Sequence, residues 1–156
     1  MAALFRWYDR ATLYSLNGTY EAGSPQISIA AQPITVALLT STYTFSAAHN
    51  VFADLTNELT TTGGYTAGGQ AVAGLTFVQA STVSNLAGNN VVWTASGGGI
   101  AAFRYAAIYI NATLNSVVKP LIAAIDNNGS DVPATTAPNT LTVTWNATGI
   151  FQVTHS

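Results

Sequence analysis

The sequence predicts a mainly β protein: an antiparallel β-sandwich with one or two short helices in its N-terminal half. Three observations point there. From Gln26 onward apolar residues recur with a period of two, the runs are short and bounded by Gly, Asn, Pro or Ser, and no βαβ alternation intervenes. At 156 residues the chain reads as one domain, long enough to bury a core without staples. The expected division is an N-terminal arm or helix over residues 1–20 and a β-rich body over 26–156.

Leu4 to Leu16 reads as a short amphipathic helix, with Leu4, Tyr8 and Ala11 on one face and Asn17-Gly18 as its stop. A hairpin turning at Asn17-Gly18 is the competing reading, since that dipeptide also favours type I′ turns. Ile27 and Ile29 alternate with Ser28 and Ala30. Ile34 to Leu39 is apolar on both faces, as a buried strand requires. Ser46 caps an expected second helix that runs to Leu59, with Phe52, Leu55 and Leu59 on one side. Strands follow in "LTFVQAS", "NNVVWTAS", "AAFRYAAIYINA", "KPLIAAID", "NTLTVTWNA" and "GIFQVTH". Phe103, Tyr105, Ala107 and Tyr109 form an aromatic face opposite Arg104, Ala106, Ile108 and Ile110, and Leu141, Val143 and Trp145 alternate with threonines. Turn residues separate these runs at Gly97-Gly98-Gly99, at Asp126-Asn127-Asn128-Gly129, and at Pro133 and Pro138.

Charge is scarce. Only 6% of residues are charged, against about 25% in ordinary soluble domains. The net charge is -2, and Arg6, Arg10, Arg104 and Lys119 are the only fixed cations, too few for the basic patch that nucleic acid or an anionic membrane surface demands. The solvated surface must be built from Ser, Thr, Asn and Gln. With a mean hydropathy of +0.31, such a chain suits a working life against a partner. Cysteine is absent, so thiolate and disulfide chemistry are excluded. Arg6, Asp9 and Arg10 interrupt the N-terminal apolar run, so no secretory signal is expected. The most apolar window, "IAAQPITVALLTSTYTF", is broken by Gln32 and Pro33 and falls short of the ~20 residues a bilayer requires.

Candidate chemistry is thin. On a helix Asp54 and Glu58 would share a face, and with His49 nearby they could ligate a divalent metal, but a third ligand at recognisable spacing is lacking, and a polar helix face accounts for them. "DNNGSD", Asp126 to Asp131, has its glycine at the fourth position where a calcium loop needs it at the sixth, so a β-turn explains it better. The sequons at Asn17, Asn111, Asn128 and Asn146 are what chance supplies in a Thr- and Asn-rich chain. Two histidines without a nucleophile elbow give no support to acyl transfer. Glycan hydrolysis would need two facing carboxylates among Asp9, Glu21, Asp54, Glu58, Asp126 and Asp131. Trp93, Tyr105, Tyr109 and Trp145 suggest a sugar platform, but their alternation with small or polar neighbours reads first as core. No enzyme activity, cofactor or metal is expected.

The plainest segment is "ELTTTGGYTAGGQAVAGLTF", Glu58 to Phe77, with no charge after its first residue. Gly63-Gly64 and Gly68-Gly69 permit positive φ and close chain approach, Tyr65 supplies a rigid ring to anchor the bend, and Gly74 lets a strand lie near another backbone. The segment is expected to work by shape. A disordered linker is the rival reading.

This stretch, in the wider run "PITVALLTSTYTFSAAHNVFADLTNELTTTGGYTAGGQAVAGLTF", with "NNVVWTAS", "FRYAAIYINAT" and "PLIAAID" after it, resembles a group of small virion proteins of tailed bacteriophages. The resemblance runs from about Leu4 to Asp126, and "GYTAGG" and "RYAAIY" are its most specific parts. It departs at the aromatic "LFRWYDR", where lysine-rich helices are usual, and in its low charge. The resemblance implies a non-enzymatic structural component of the particle, made in the host cytoplasm and carried on the outer head surface. The implied role is a capsid decoration or cementing protein whose partners are the major capsid protein and copies of itself. A head–tail connector or tail protein, and a carbohydrate-binding head-fibre or receptor-binding module, are the alternatives. Interface hot spots favour aromatics, so Phe5, Trp7 and Tyr8 are the expected anchors.

Overall fold

The computed structural model describes residues 3–11, 32–80, 83–114 and 116–154. The expected helix beyond Ala11 with its Asn17-Gly18 stop, the candidate carboxylate Glu21 and the Ile27–Ile29 alternation lie outside the described residues.

The protein is mainly β and its paired strands are antiparallel. The strands are β1 (Leu4–Trp7), β2 (Ile34–Leu39), β3 (Gln70–Ala71), β4 (Thr76–Ala80), β5 (Val83–Ala87), β6 (Val91–Thr94), β7 (Tyr105–Ile110), β8 (Thr113–Leu114), β9 (Val117–Val118), β10 (Leu121–Asp126), β11 (Thr140–Val143) and β12 (Phe151–Thr154). A central five-stranded sheet has the order β1-β10-β7-β2-β3. The second layer is built from a three-stranded sheet, β12-β5-β4, and the pair β11-β6. The two-residue strands β8 and β9 pair at the tip of the long β7–β10 hairpin.

The central strands β2 and β7 are buried along their whole length because the sheet is covered on both faces. On one face Ile34, Val36, Leu38, Ala106, Ile108, Ile110 and Ile122 meet Leu86, Val91, Trp93 and Leu141 of the second layer. That is the sandwich core. On the other face Ala37, Tyr109, Leu121 and Ala124 meet Tyr8, Phe45, Phe52 and Leu55, and Leu39, Tyr105 and Ala107 meet Tyr43. The period of two thus survives across both cores. A bulge between Leu121 and Ala123 interrupts it once, so Ile122 and Ala123 both join the sandwich core.

Two expected helices are corrected. Leu4–Trp7, the start of the expected amphipathic helix, is a strand paired with β10 in the register Leu4↔Asp126 to Trp7↔Ala123. Pairing covers an edge of β10 that would otherwise stand open, and a helix would satisfy none of those backbone groups. Helical backbone begins only at Asp9. The expected helix from Ser46 to Leu59 reduces to a single 3-10 turn at Phe52–Asp54. Here Phe52 and Leu55 pack on one face of the central sheet, whereas Leu59 enters the core on the other. A continuous helix would hold all three on one side, so the chain must leave the helical path to round the sheet edge.

Candidate functional site

The glycine-rich segment closes the free edge of β2. Strand β3 pairs with β2 only at Thr35 and Val36, which leaves the later backbone groups of β2 to find other partners. The Tyr65 hydroxyl accepts the Leu38 N–H at 3.0 Å and donates to Glu58 Oε1 at 2.7 Å. Leu59 N–H donates to Leu38 O at 2.9 Å, and Gly68 N–H donates to the same Glu58 Oε1. Burial raises the Tyr65 hydroxyl well above its ordinary pKa, so it stays protonated and able to donate. Tyr109 in turn donates to Gly68 O at 2.6 Å. Gly63, Gly64, Gly68, Gly69 and Gly74 all take positive φ. At Gly69 (φ 78°) an added Cβ would stand 1.9 Å from Val36 O, so the loop backbone lies against the strand it covers.

The three N-terminal aromatics part company. Tyr8 is completely buried, its hydroxyl 3.2 Å from that of Tyr43 and its ring on Phe45, so it is a core residue and is not available as an interface anchor. Trp7 is half-buried, edge-on to both Phe5 and Phe151 at centroid distances of 5.2 and 5.1 Å. Phe5 remains 37% exposed. On the opposite side of β1, Arg6 reaches Asp126 Oδ2 at 3.0 Å. Arg104 donates to the other oxygen, Oδ1, at 2.9 Å, and the Asp126 side chain is only 1% exposed. The Arg104 hydrogen bond holds the Asp126 carboxyl below the usual carboxylate range, against the upward push of burial. Sequence reasoning placed Asp126 at the start of a turn and among the carboxylates that glycan hydrolysis would need. The turn is there, with Asn128 and Gly129 at φ 50° and 84°, but the buried charge pairing was not foreseen.

Between β1 and the chain running from β11 into β12 lies a groove of about 560 Å³. Phe5, Trp7, Trp145 and Phe151 line it, with Thr144 and Asn146, and none of its lining residues is charged. Trp145 is pinned by its indole Nε1–H to Asn89 O at 2.8 Å, and by its backbone N–H to Asn90 Oδ1 at 3.1 Å. Of the four aromatics weighed as a platform, Trp93, Tyr105 and Tyr109 are buried in the cores, and only Trp145 reaches this groove. The signal that points to the groove is the Phe5-Arg6-Trp7 alternation, which sets both rings on one side of a strand.

The other candidates are dispersed. His49 Nδ1 lies 2.9 Å from the Tyr43 hydroxyl. Asp54 accepts the backbone N–H groups of Asn50 and Val51, at 2.8 and 3.0 Å, which lower its pKa, and Glu58 serves Tyr65. Among the described residues no three His, Cys, Asp or Glu side chains gather as metal ligands. No described helix is long and apolar enough to cross a membrane.

Charge is segregated by layer. Residues 59–103 and 132–156 contain no Asp, Glu, Lys or Arg, and together they hold all five strands of the second layer. Val78 on the outer face of the edge strand β4 and Val92 on β6 are 55% and 41% exposed, and Phe77, on the opposite face of β4 across from Leu86, is 52% exposed. No family model, curated protein or solved structure matches the chain.

Proposed function

We propose that this chain is a non-enzymatic structural protein of a tailed-bacteriophage particle, a capsid decoration protein that seats on the lattice of the major capsid protein and on copies of itself. The observation that carries the reading is the uncharged second layer with Val78 and Val92 exposed on its outer face. A free domain normally scatters charge over every face and blunts its edge strands with Lys or Pro, and β4, "TFVQA", has neither. Buried against a neutral shell, such a face contributes roughly 25 cal/mol per Å² of apolar area, less the cost of association. The resemblance carried by "GYTAGG" and "RYAAIY" points the same way.

The test is the chain's place in purified particles, read by mass spectrometry and cryo-EM of the virion. Density for the sandwich repeated over the shell lattice, second layer inward, supports the decoration role. Density confined to the portal vertex or tail replaces it with a connector or tail role. Absence from the particle overturns the virion reading itself.

A further inference from the structure

We propose that the groove between β1 and β12 is a binding site for a neutral polysaccharide chain. The argument starts from the rings. Phe5 and Trp7 project from the same side of β1, Phe151 enters from β12, and Trp145 stands at the end of β11. Pyranose rings present a face of C–H bonds that stacks on an aromatic ring, and aromatics with one wet side are the side chains that offer such a surface. The rings are pre-set. Trp145 is fixed by Asn89 and Asn90, and Trp7 is wedged edge-on between Phe5 and Phe151, so little side-chain freedom remains to be lost on binding.

Sugar hydroxyls also require polar partners, and the groove supplies them. Asn146 Oδ1 is engaged by the N–H and Oγ1 of Thr148, at 3.1 and 3.2 Å, so its Nδ2 amide is the donor it has to offer. Thr144 adds a hydroxyl to the same lining. Charge decides the ligand class. The nearest cation in sequence, Arg6, sits on the other side of β1 with its guanidinium on Asp126, and no lining residue is charged. Uronic acids, sialic acids and phosphorylated sugars would find no counter-ion here. The volume of about 560 Å³ lies within the range of ligand sites, about 300–1,000 Å³. A proline-rich peptide also stacks on aromatic grooves, but the amide and hydroxyl lining favours the sugar.

The experiment is a tryptophan-fluorescence titration of the full chain with cellohexaose, laminarihexaose and chitohexaose, beside an oligogalacturonide and a proline-rich decapeptide. A saturable change with at least one neutral oligosaccharide, at a Kd of about 1 mM or tighter, is the expected result. In Phe5→Ala, whose site is partly exposed, affinity should fall at least tenfold while the melting temperature holds. Trp145→Phe, which keeps a ring and loses the Asn89 bond, should weaken binding less than Trp145→Ala. No response of the unmodified chain to any neutral oligosaccharide up to about 10 mM overturns the proposal. So does equal binding of the acidic oligomer, or a response to the peptide alone.

Discussion

Glycines of similar φ do different work at the scale of single residues, and the difference is measurable. Gly69 and Gly97 both stand in the left-handed region, at φ 78° and 50°. A Cβ on Gly69 would meet Val36 O at 1.9 Å, whereas a Cβ on Gly97 would meet nothing within 4 Å. Gly97→Ala therefore costs only backbone strain, about 1 kcal/mol. Gly69→Ala adds a collision with the central strand and should cost about 3 kcal/mol or more, or abolish folding. Parallel thermal melts of the two variants check this, and equal melting temperatures would refute the close approach. The glycine pairs were visible in the sequence, as was the rigid tyrosine between them. What the tyrosine bonds was not, because Leu38 and Tyr65 meet only when the chain has folded back along β2.

At the scale of elements, strands whose faces each meet a single environment, apolar or solvent, were the legible ones. β2, β7 and β11 follow the expected alternation because each face meets one environment. β1 was misread, since Leu4, Tyr8 and Ala11 also fit a helical stripe and only the partner strand decides between the two periods. β5 was not singled out because its Ser84 and Asn85 hide a buried strand behind polar letters. The pairing of β1 has an electrostatic anchor that can be tested by pH. Asp126 has a folded pKa below its unfolded value, so its contribution is fully present above about pH 4 and is lost as pH falls through the folded pKa. Asp126→Asn should cost about 2 kcal/mol at neutral pH, less than a wholly buried pair because Arg6 is 40% exposed and screened by solvent. The variant should also lose part of the melting-temperature decline between about pH 5 and pH 2, the rest belonging to groups such as Asp54. An unchanged acid profile would show that the carboxylate does not hold β1.

For the whole molecule, the sequence displays two charge-free stretches but not that they stack into one layer, since residues 59–103 and 132–156 are joined only by the strand order. The aromatic groove was hidden for the same reason, as its walls come from opposite ends of the chain. If the uncharged layer is the docking face, binding to particles should persist in about 1 M salt, where the screening length is about 3 Å. Val78→Lys and Val92→Lys should each displace the chain from particles while changing stability by no more than about 0.5 kcal/mol. Co-sedimentation with shells is the readout, and retention of both lysine variants would move the contact to another surface.

The segregation of charge has one more consequence. The two carboxyls whose pKa is lowered, Asp54 and Asp126, lie in the turn after Val51 and at the end of β10, and neither falls in the charge-free stretches that hold the second layer. A fall in pH is thus registered where β1 is tethered, at the Asp126 carboxylate that Arg6 and Arg104 hold. The molecule is a two-sided tile: one side carries its charges, and the strands of the other carry none.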